Sequence, residues 1–278
     1  MRGSMRGVYG VVTVLCGLLL GCKSPVPAQR AASPPVATSP AAKPDQGSLD
    51  EYWQNALEEV YKSPLELQAQ HEAEARRGIH LNKLLRGNEA KRQIALTFDD
   101  GPHPDFTPGI LSALSAENVK ATFFLVGEKA EQYPDLVKAE VAAGHNVGNH
   151  TYHHVNLTRI PNRLVDTEIK ACGDVIAGIT GTAPHLFRPP GGDYDVQVAE
   201  VATQLGYTMI LWTDDPGDYA SPPRTVLEGR ILEHASNGGI ILIHDGVQET
   251  IQLLPQMIKS LKARGFEFVT VDEMLGRR

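Results

Sequence analysis

From residue 92 onward the chain alternates between short apolar runs and longer stretches whose apolar side chains recur every three or four positions. The runs at 94–98, 121–126, 145–148, 186–188, 207–212, 240–244 and 266–271 have the length and bounding residues of buried strands. The stretches at 108–117, 129–143, 162–179, 196–205, 223–235 and 250–263 have the helical period. A parallel strand pair needs a crossover of a dozen or more residues, and these stretches supply it. The pattern predicts an α/β fold in which about seven parallel strands close into a barrel. An open doubly wound sheet is the alternative, but no glycine-rich dinucleotide fingerprint follows the first strand.

Upstream of residue 92 the pattern changes three times. Arg2 and Arg6 precede an apolar run at 8–20, short for a bilayer span, which ends Leu19-Leu20-Gly21-Cys22. That order resembles a bacterial lipoprotein signal peptide over 1–21, with Cys22 as the acylated first mature residue. It implies an exported protein, lipid-anchored to a bacterial membrane and facing the periplasm or the cell exterior. Residues 22–47 are rich in Pro, Ala and Ser and hold hardly any large apolar side chain, so they read as a disordered tether. Residues 48–91 read as a short helical segment. Ser48 and Glu51 have capping-box spacing, with Leu49, Trp53, Ala56, Leu57 and Val60 at helical intervals. Ser63-Pro64-Leu65-Glu66 repeats the device, and Gly78 offers a stop.

Composition adds two constraints. The formal net charge is −7 with no basic patch, which argues against a nucleic-acid partner. Of 3 cysteines, Cys16 leaves with the signal and Cys22 carries lipid, so Cys172 has no partner for a disulfide. Nothing in the composition fixes an oligomeric state.

The candidate chemistry sits at the C-terminal ends of the expected strands, where barrel enzymes place their sites. Asp99 and Asp100 end the first strand, and extended neighbours point opposite ways, so the two carboxylates serve different roles. His150 and His154 are four apart, and in a helical turn both imidazoles face one side. With Asp100 they offer two nitrogens and one oxygen, a set that suits Zn²⁺ or a similar divalent ion. His153 is a spare neighbour. Arg188 precedes Pro189-Pro190-Gly191-Gly192, a rigid turn whose Gly191 amide suits an oxyanion donor. Asp214, Asp215 and Asp218 follow the fifth strand, and His244 ends the sixth.

In order and spacing, Thr97–Asp100, His150–His154, Arg188–Pro190, Asp215–Tyr219 and Leu242–His244 resemble the five motifs of the NodB-homology polysaccharide deacetylases, carbohydrate esterase family 4. The resemblance covers about Arg92 to Leu275, within a domain over 92–278, and implies a distorted (β/α) barrel with fewer strands than eight. It assigns Asp100, His150 and His154 as metal ligands for Zn²⁺, with Co²⁺ or another divalent ion as substitutes. It assigns Asp99 as general base, Arg188 as the residue that orients it, and His244 as general acid tuned by Asp218. Gly191 receives the oxyanion, and Leu242 and Tyr219 wall the acetyl-methyl pocket. Two departures stand out. Gly191 takes the place of a common aromatic, which predicts a more open groove, and Tyr219 replaces the commoner tryptophan. The implied activity is removal of N-acetyl groups from N-acetylated glycans, peptidoglycan first. Chitin oligomers, poly-N-acetylglucosamine and O-acetylxylan are alternatives, and a non-catalytic glycan-binding lipoprotein on the same fold is an alternative of another class.

Overall fold

The computed structural model describes residues 56–57 and 60–277. The expected signal peptide, Cys22, the tether and the capping box at Ser48 lie outside the described residues. Helix α1 (Pro64–Arg76) begins on the expected capping box: Ser63 Oγ accepts from the Glu66 amide at 3.3 Å, and Glu66 Oε2 accepts from the Ser63 amide at 2.8 Å. The chain leaves it through Gly78, whose φ of +71° costs a glycine little. Strand β1 (Lys83–Leu84) follows, and the sequence pattern gave no sign of it, because a two-residue strand carries no period.

The repeating units then run in order: β2 (Gln93–Gly101), α2 (Thr107–Ala116), β3 (Thr122–Leu125), α3 (Gly127–Gln132), α4 (Pro134–Ala142), β4 (Asn146–Asn149), α5 (Asn162–Thr180), β5 (Leu186–Phe187), α6 (Val196–Gln204), β6 (Thr208–Ile210), α7 (Arg224–His234), β7 (Gly239–His244), α8 (Gln248–Ala263), β8 (Glu267–Phe268) and α9 (Val271–Met274). The single helix expected over 129–143 is two. Pro134 pushes Tyr133 out of helical geometry, to φ −126° and ψ 56°, and opens a second helix at its own first position. Among the described residues no helix is long and apolar enough to cross a membrane.

Every strand pairing is parallel, in the order β1-β6-β5-β4-β3-β2-β7, with β8 beside the start of β2. Beyond β6, Asp214 makes one parallel bridge to Ile241 of β7, so the sheet curls toward closure as a distorted barrel. Alternate residues serve two cores. Ala95, Ile240, Leu242, Met209 and Trp212 pack in one, while Ile94, Leu96, Phe98, Ile241 and Ile243 pack in the other against α2, α7 and α8. Burial on both faces is why these strands read as unbroken apolar runs. The register sets Asp99 opposite His244, Gly101 opposite Leu125, and Leu125 opposite Asn149. The strands therefore end together, and their terminal polar residues gather at one pole.

Candidate active site

The pole is organised around a buried ion pair. Asp99 is in register on β2, and its Oδ1 accepts from Nη1 of Arg188 at 2.6 Å. Arg188 is fully buried. Nη1 also donates to Thr97 Oγ1 at 2.8 Å, and Nε donates to the Ile210 carbonyl at 3.2 Å. The guanidinium lies 4.2 Å from the Phe124 ring centroid and 5.6 Å from that of Trp212. Burial lowers the pKa of Arg188 and the Asp99 carboxylate works against that. A buried pair gains little net stability, but its geometry is tightly held.

Asp100 does not point away from Asp99. The β2–β3 register shifts between Phe98 and Gly101, and Asp100 takes a φ of +68°. Its Oδ1 comes to 3.5 Å from Nε2 of His150 and 3.0 Å from Nε2 of His154. Residues 150–155 form no helical turn. Positive φ at Thr151 (+66°) and His154 (+56°) folds the loop back, leaving the two imidazoles 5.0 Å apart.

The donor set fits a cation. His150 Nδ1 lies 2.8 Å from the Arg188 carbonyl, which can only accept, so Nδ1 carries the proton and Nε2 presents a lone pair to Asp100. Asp100 Oδ1 is buried and has no hydrogen-bond donor. The three ligand atoms lie within 4.8 Å of one another. His153 turns away, and its Nδ1 meets Glu168 Oε1 at 2.7 Å.

The second proton-carrying group is His244 at the end of β7. Its Nδ1 donates to Asp218 Oδ1 at 2.7 Å and its backbone amide to Asp218 Oδ2 at 2.8 Å. Thr250 Oγ1 donates to the same Oδ2 at 2.6 Å, so Asp218 is held from three sides. This leaves Nε2 of His244 as the nitrogen that exchanges a proton. Burial disfavours the imidazolium, but the Asp218 hydrogen bond and charge outweigh it and raise the pKa to about 9.

A polysaccharide deacetylase family model matches residues 86–210. The chain is 38% identical over 190 residues to the peptidoglycan-N-acetylglucosamine deacetylase PgdA of Listeria monocytogenes, covering 68% of this chain and 40% of that one. It therefore spans well under half the length of that relative. A peptidoglycan-N-acetylglucosamine deacetylase of Bacillus cereus is 36% identical over 187 residues, 66% of this chain and 87% of that one. The chain belongs to the polysaccharide deacetylase family. The crystal structure of the Bc1960 peptidoglycan N-acetylglucosamine deacetylase superimposes with a TM-score of 0.70 at 32% identity, over 74% of this chain and 97% of that one.

One departure from the family pattern has a different outcome from the one expected. Gly191, standing where many members carry an aromatic, predicts a more open groove. Instead the carbonyl oxygen of Val60 lies 1.6 Å from where a Cβ at residue 191 would stand, and the Lys62 amide donates to the Gly191 carbonyl at 2.9 Å. The backbone of the N-terminal segment fills that part of the groove. Tyr219 is 45% exposed, and its ring stacks on Tyr61 at 4.6 Å between centroids and 6° between planes. Leu242 shares the inward face of β7 with His244, two residues on, and is 1% exposed. Asp214 points into the fold, near His234, while Asp215 accepts from the Gly217 amide at 2.9 Å.

Sequence reasoning missed three supports. Thr97 opens the Thr97–Asp100 motif, and its hydroxyl contact with Arg188 follows from the strand's alternation. Thr250 and Tyr61 carry no local signal, since each meets the site through long-range packing.

Proposed function

We propose that this chain is a metal-dependent hydrolase that removes N-acetyl groups from N-acetylated glycans outside the cytoplasm, with peptidoglycan as its substrate. One observation carries the reading. A single barrel pole holds the Asp100–His150–His154 set together with Asp99 and His244, each fixed by its own buried partner. The names of the peptidoglycan-deacetylating relatives support the substrate class.

Asp100, His150 and His154 would hold the ion, Zn²⁺ by the chemistry of one carboxylate and two imidazoles, and a bound ion there polarises the acetyl carbonyl and acidifies a water. Asp99 uses Oδ1 for Arg188, which leaves Oδ2 to take a proton from the attacking water as its oxygen bonds to the acetyl carbon. The Gly191 amide receives the developing oxyanion. His244 then gives its Nε2 proton to the departing amine as the C–N bond breaks, releasing acetate and a free amino sugar. Leu242 and Tyr219 border the acetyl methyl.

Incubating the zinc-loaded protein with peptidoglycan fragments, chitin oligomers and poly-N-acetylglucosamine, followed by mass spectrometry, tests the reading. Loss of acetyl mass from peptidoglycan with equimolar acetate release is the expected result. Binding without turnover on all three would favour the non-catalytic alternative and overturn it.

A further inference from the structure

The segment before the barrel enters the active site. We propose that residues 60–62 are a built-in wall of the substrate groove and that Tyr61 is a specificity-determining residue, meeting the sugar ring of the glycan beside His244. The inference rests on the glycan-deacetylase reading above.

Three observations carry it. The first is placement. The Tyr61 ring lies parallel to that of Tyr219 and edge-on to the His244 imidazole, 6.0 Å away at 84°. Tyr219 meets the same imidazole at 5.6 Å and 88°, so the stacked pair of tyrosines lies against the proton-donating group. The second is the cleft between this segment and the metal-binding loop, lined by Leu57, Val60, Tyr61, His154, Asn156 and Gly191. It joins the segment directly to a metal ligand. An aromatic ring beside a largely apolar cleft that ends on His154 and Asn156 suits the apolar C–H face of a sugar.

The third observation is that the segment is tied to the barrel on both sides of Tyr61. The Asn156 amide donates to the Ala56 carbonyl at 2.8 Å, and Lys62 Nζ meets Asp193 Oδ1 at 3.1 Å, in addition to the backbone bond from Lys62 to Gly191. Immediately after, Ser63 caps α1, which is itself fastened by fully buried Leu67 and by Gln70 Nε2 donating to the Tyr194 carbonyl at 3.1 Å. Gly191 has a φ of +61°, and any side chain there would overlap Val60. Gly191 is therefore matched to the backbone of this segment, and the aromatic surface comes from Tyr61 instead.

The test compares the zinc-loaded full chain with its Tyr61→Ala and Tyr61→Phe variants on an N-acetylglucosamine tetramer and on a small activated acetyl ester. Tyr61→Ala is expected to lower kcat/KM on the tetramer about tenfold, chiefly through KM, with a several-fold smaller loss on the ester. Tyr61→Phe, which keeps the ring, restores the tetramer. In the Asp99→Asn background, affinity for the tetramer falls about tenfold on adding Tyr61→Ala and returns with Tyr61→Phe. Equal losses on both substrates would make Tyr61 a prop for His244 and overturn the inference. So would a gain in turnover, which would mark the segment as a strap that blocks the site, or no change at all. Ester turnover by the wild type without any glycan turnover would instead remove the glycan reading, and this inference with it.

Discussion

Asp99 and Asp100, adjacent in the chain, both come within 3.6 Å of one nitrogen, Nε2 of His150. Consecutive residues of a regular strand cannot do this, and the positive φ at Asp100 is what permits it. The consequence is a division of labour at close range. Asp99 is turned toward Arg188 and Asp100 toward the two imidazoles, so one carboxylate is available for proton transfer and the other for a cation.

That division predicts distinct failures. Asp99→Asn is expected to keep the fold and a full complement of bound metal while turnover falls by about 10² to 10⁴. Arg188→Met leaves Asp99 buried without its partner and is expected to cost about 3–5 kcal/mol of stability. Denaturant titration and metal analysis of both variants check this. Undiminished turnover in Asp99→Asn would refute its role as the base.

Metal retention tests the ligand set directly. His150→Ala and His154→Ala should each weaken binding strongly, and a chelator should abolish activity that Zn²⁺ or Co²⁺ restores. Elemental analysis after dialysis reads the stoichiometry. Stoichiometric metal in the double variant would disprove the assignment.

His244 gives the pH dependence a sign. Its folded pKa, about 9, lies above the ordinary 6.5, so the protonated acid persists below that value and is lost as pH rises through it. A nearby divalent ion lowers the value, so the basic limb of kcat/KM should fall at or below about pH 9. Asp218→Asn removes the main raising influence and should shift that limb toward acid. A limb that does not move would separate His244 from the rate profile.

Asp214 should make stability depend on pH independently of the chemistry. It is 2% exposed, both its oxygens lack a hydrogen-bond donor, and His234 Nδ1 stands 3.7 Å away. Burial, reinforced by the neighbouring Asp215, pushes its pKa up from 3.8 to about 8. The folded chain keeps this proton while the unfolded chain loses it, so Asp214 makes stability fall as pH rises from about 4 to about 8. Asp214→Asn should flatten that part of the Tm profile and gain most over wild type above its upper end. Parallel Tm curves would contradict the buried, protonated state.

The export address is tested at Cys22. Labelled palmitate should enter the wild-type chain in a bacterial host and not Cys22→Ser, while the isolated 48–278 segment keeps its activity on soluble substrate. Absence of label from the wild type would reject the lipid anchor.

The repeating units, the residues at the strand ends and the cap of α1 are legible in the amino-acid sequence. These depend on neighbours in the chain: buried strands demand apolar runs, amphipathic helices demand a period, and Ser63 and Glu66 meet within one turn. The residues of the site are legible there too, because chemistry of this kind needs carboxylates and imidazoles whatever their exact placement. How they meet depends on contacts between distant segments. The shift in β2 that turns Asp100 toward His150 needs β3 beside it to hold a backbone conformation that an aspartate alone would leave. The loop that folds His154 back is likewise non-helical despite its four-residue spacing. β1 exists because β6 offers it an edge, Thr250 supports Asp218 across 32 residues of chain, and Gly191 is occupied by Val60 rather than by solvent. Each of these joins segments distant in sequence, and the free energy that fixes them comes from packing that no local pattern records.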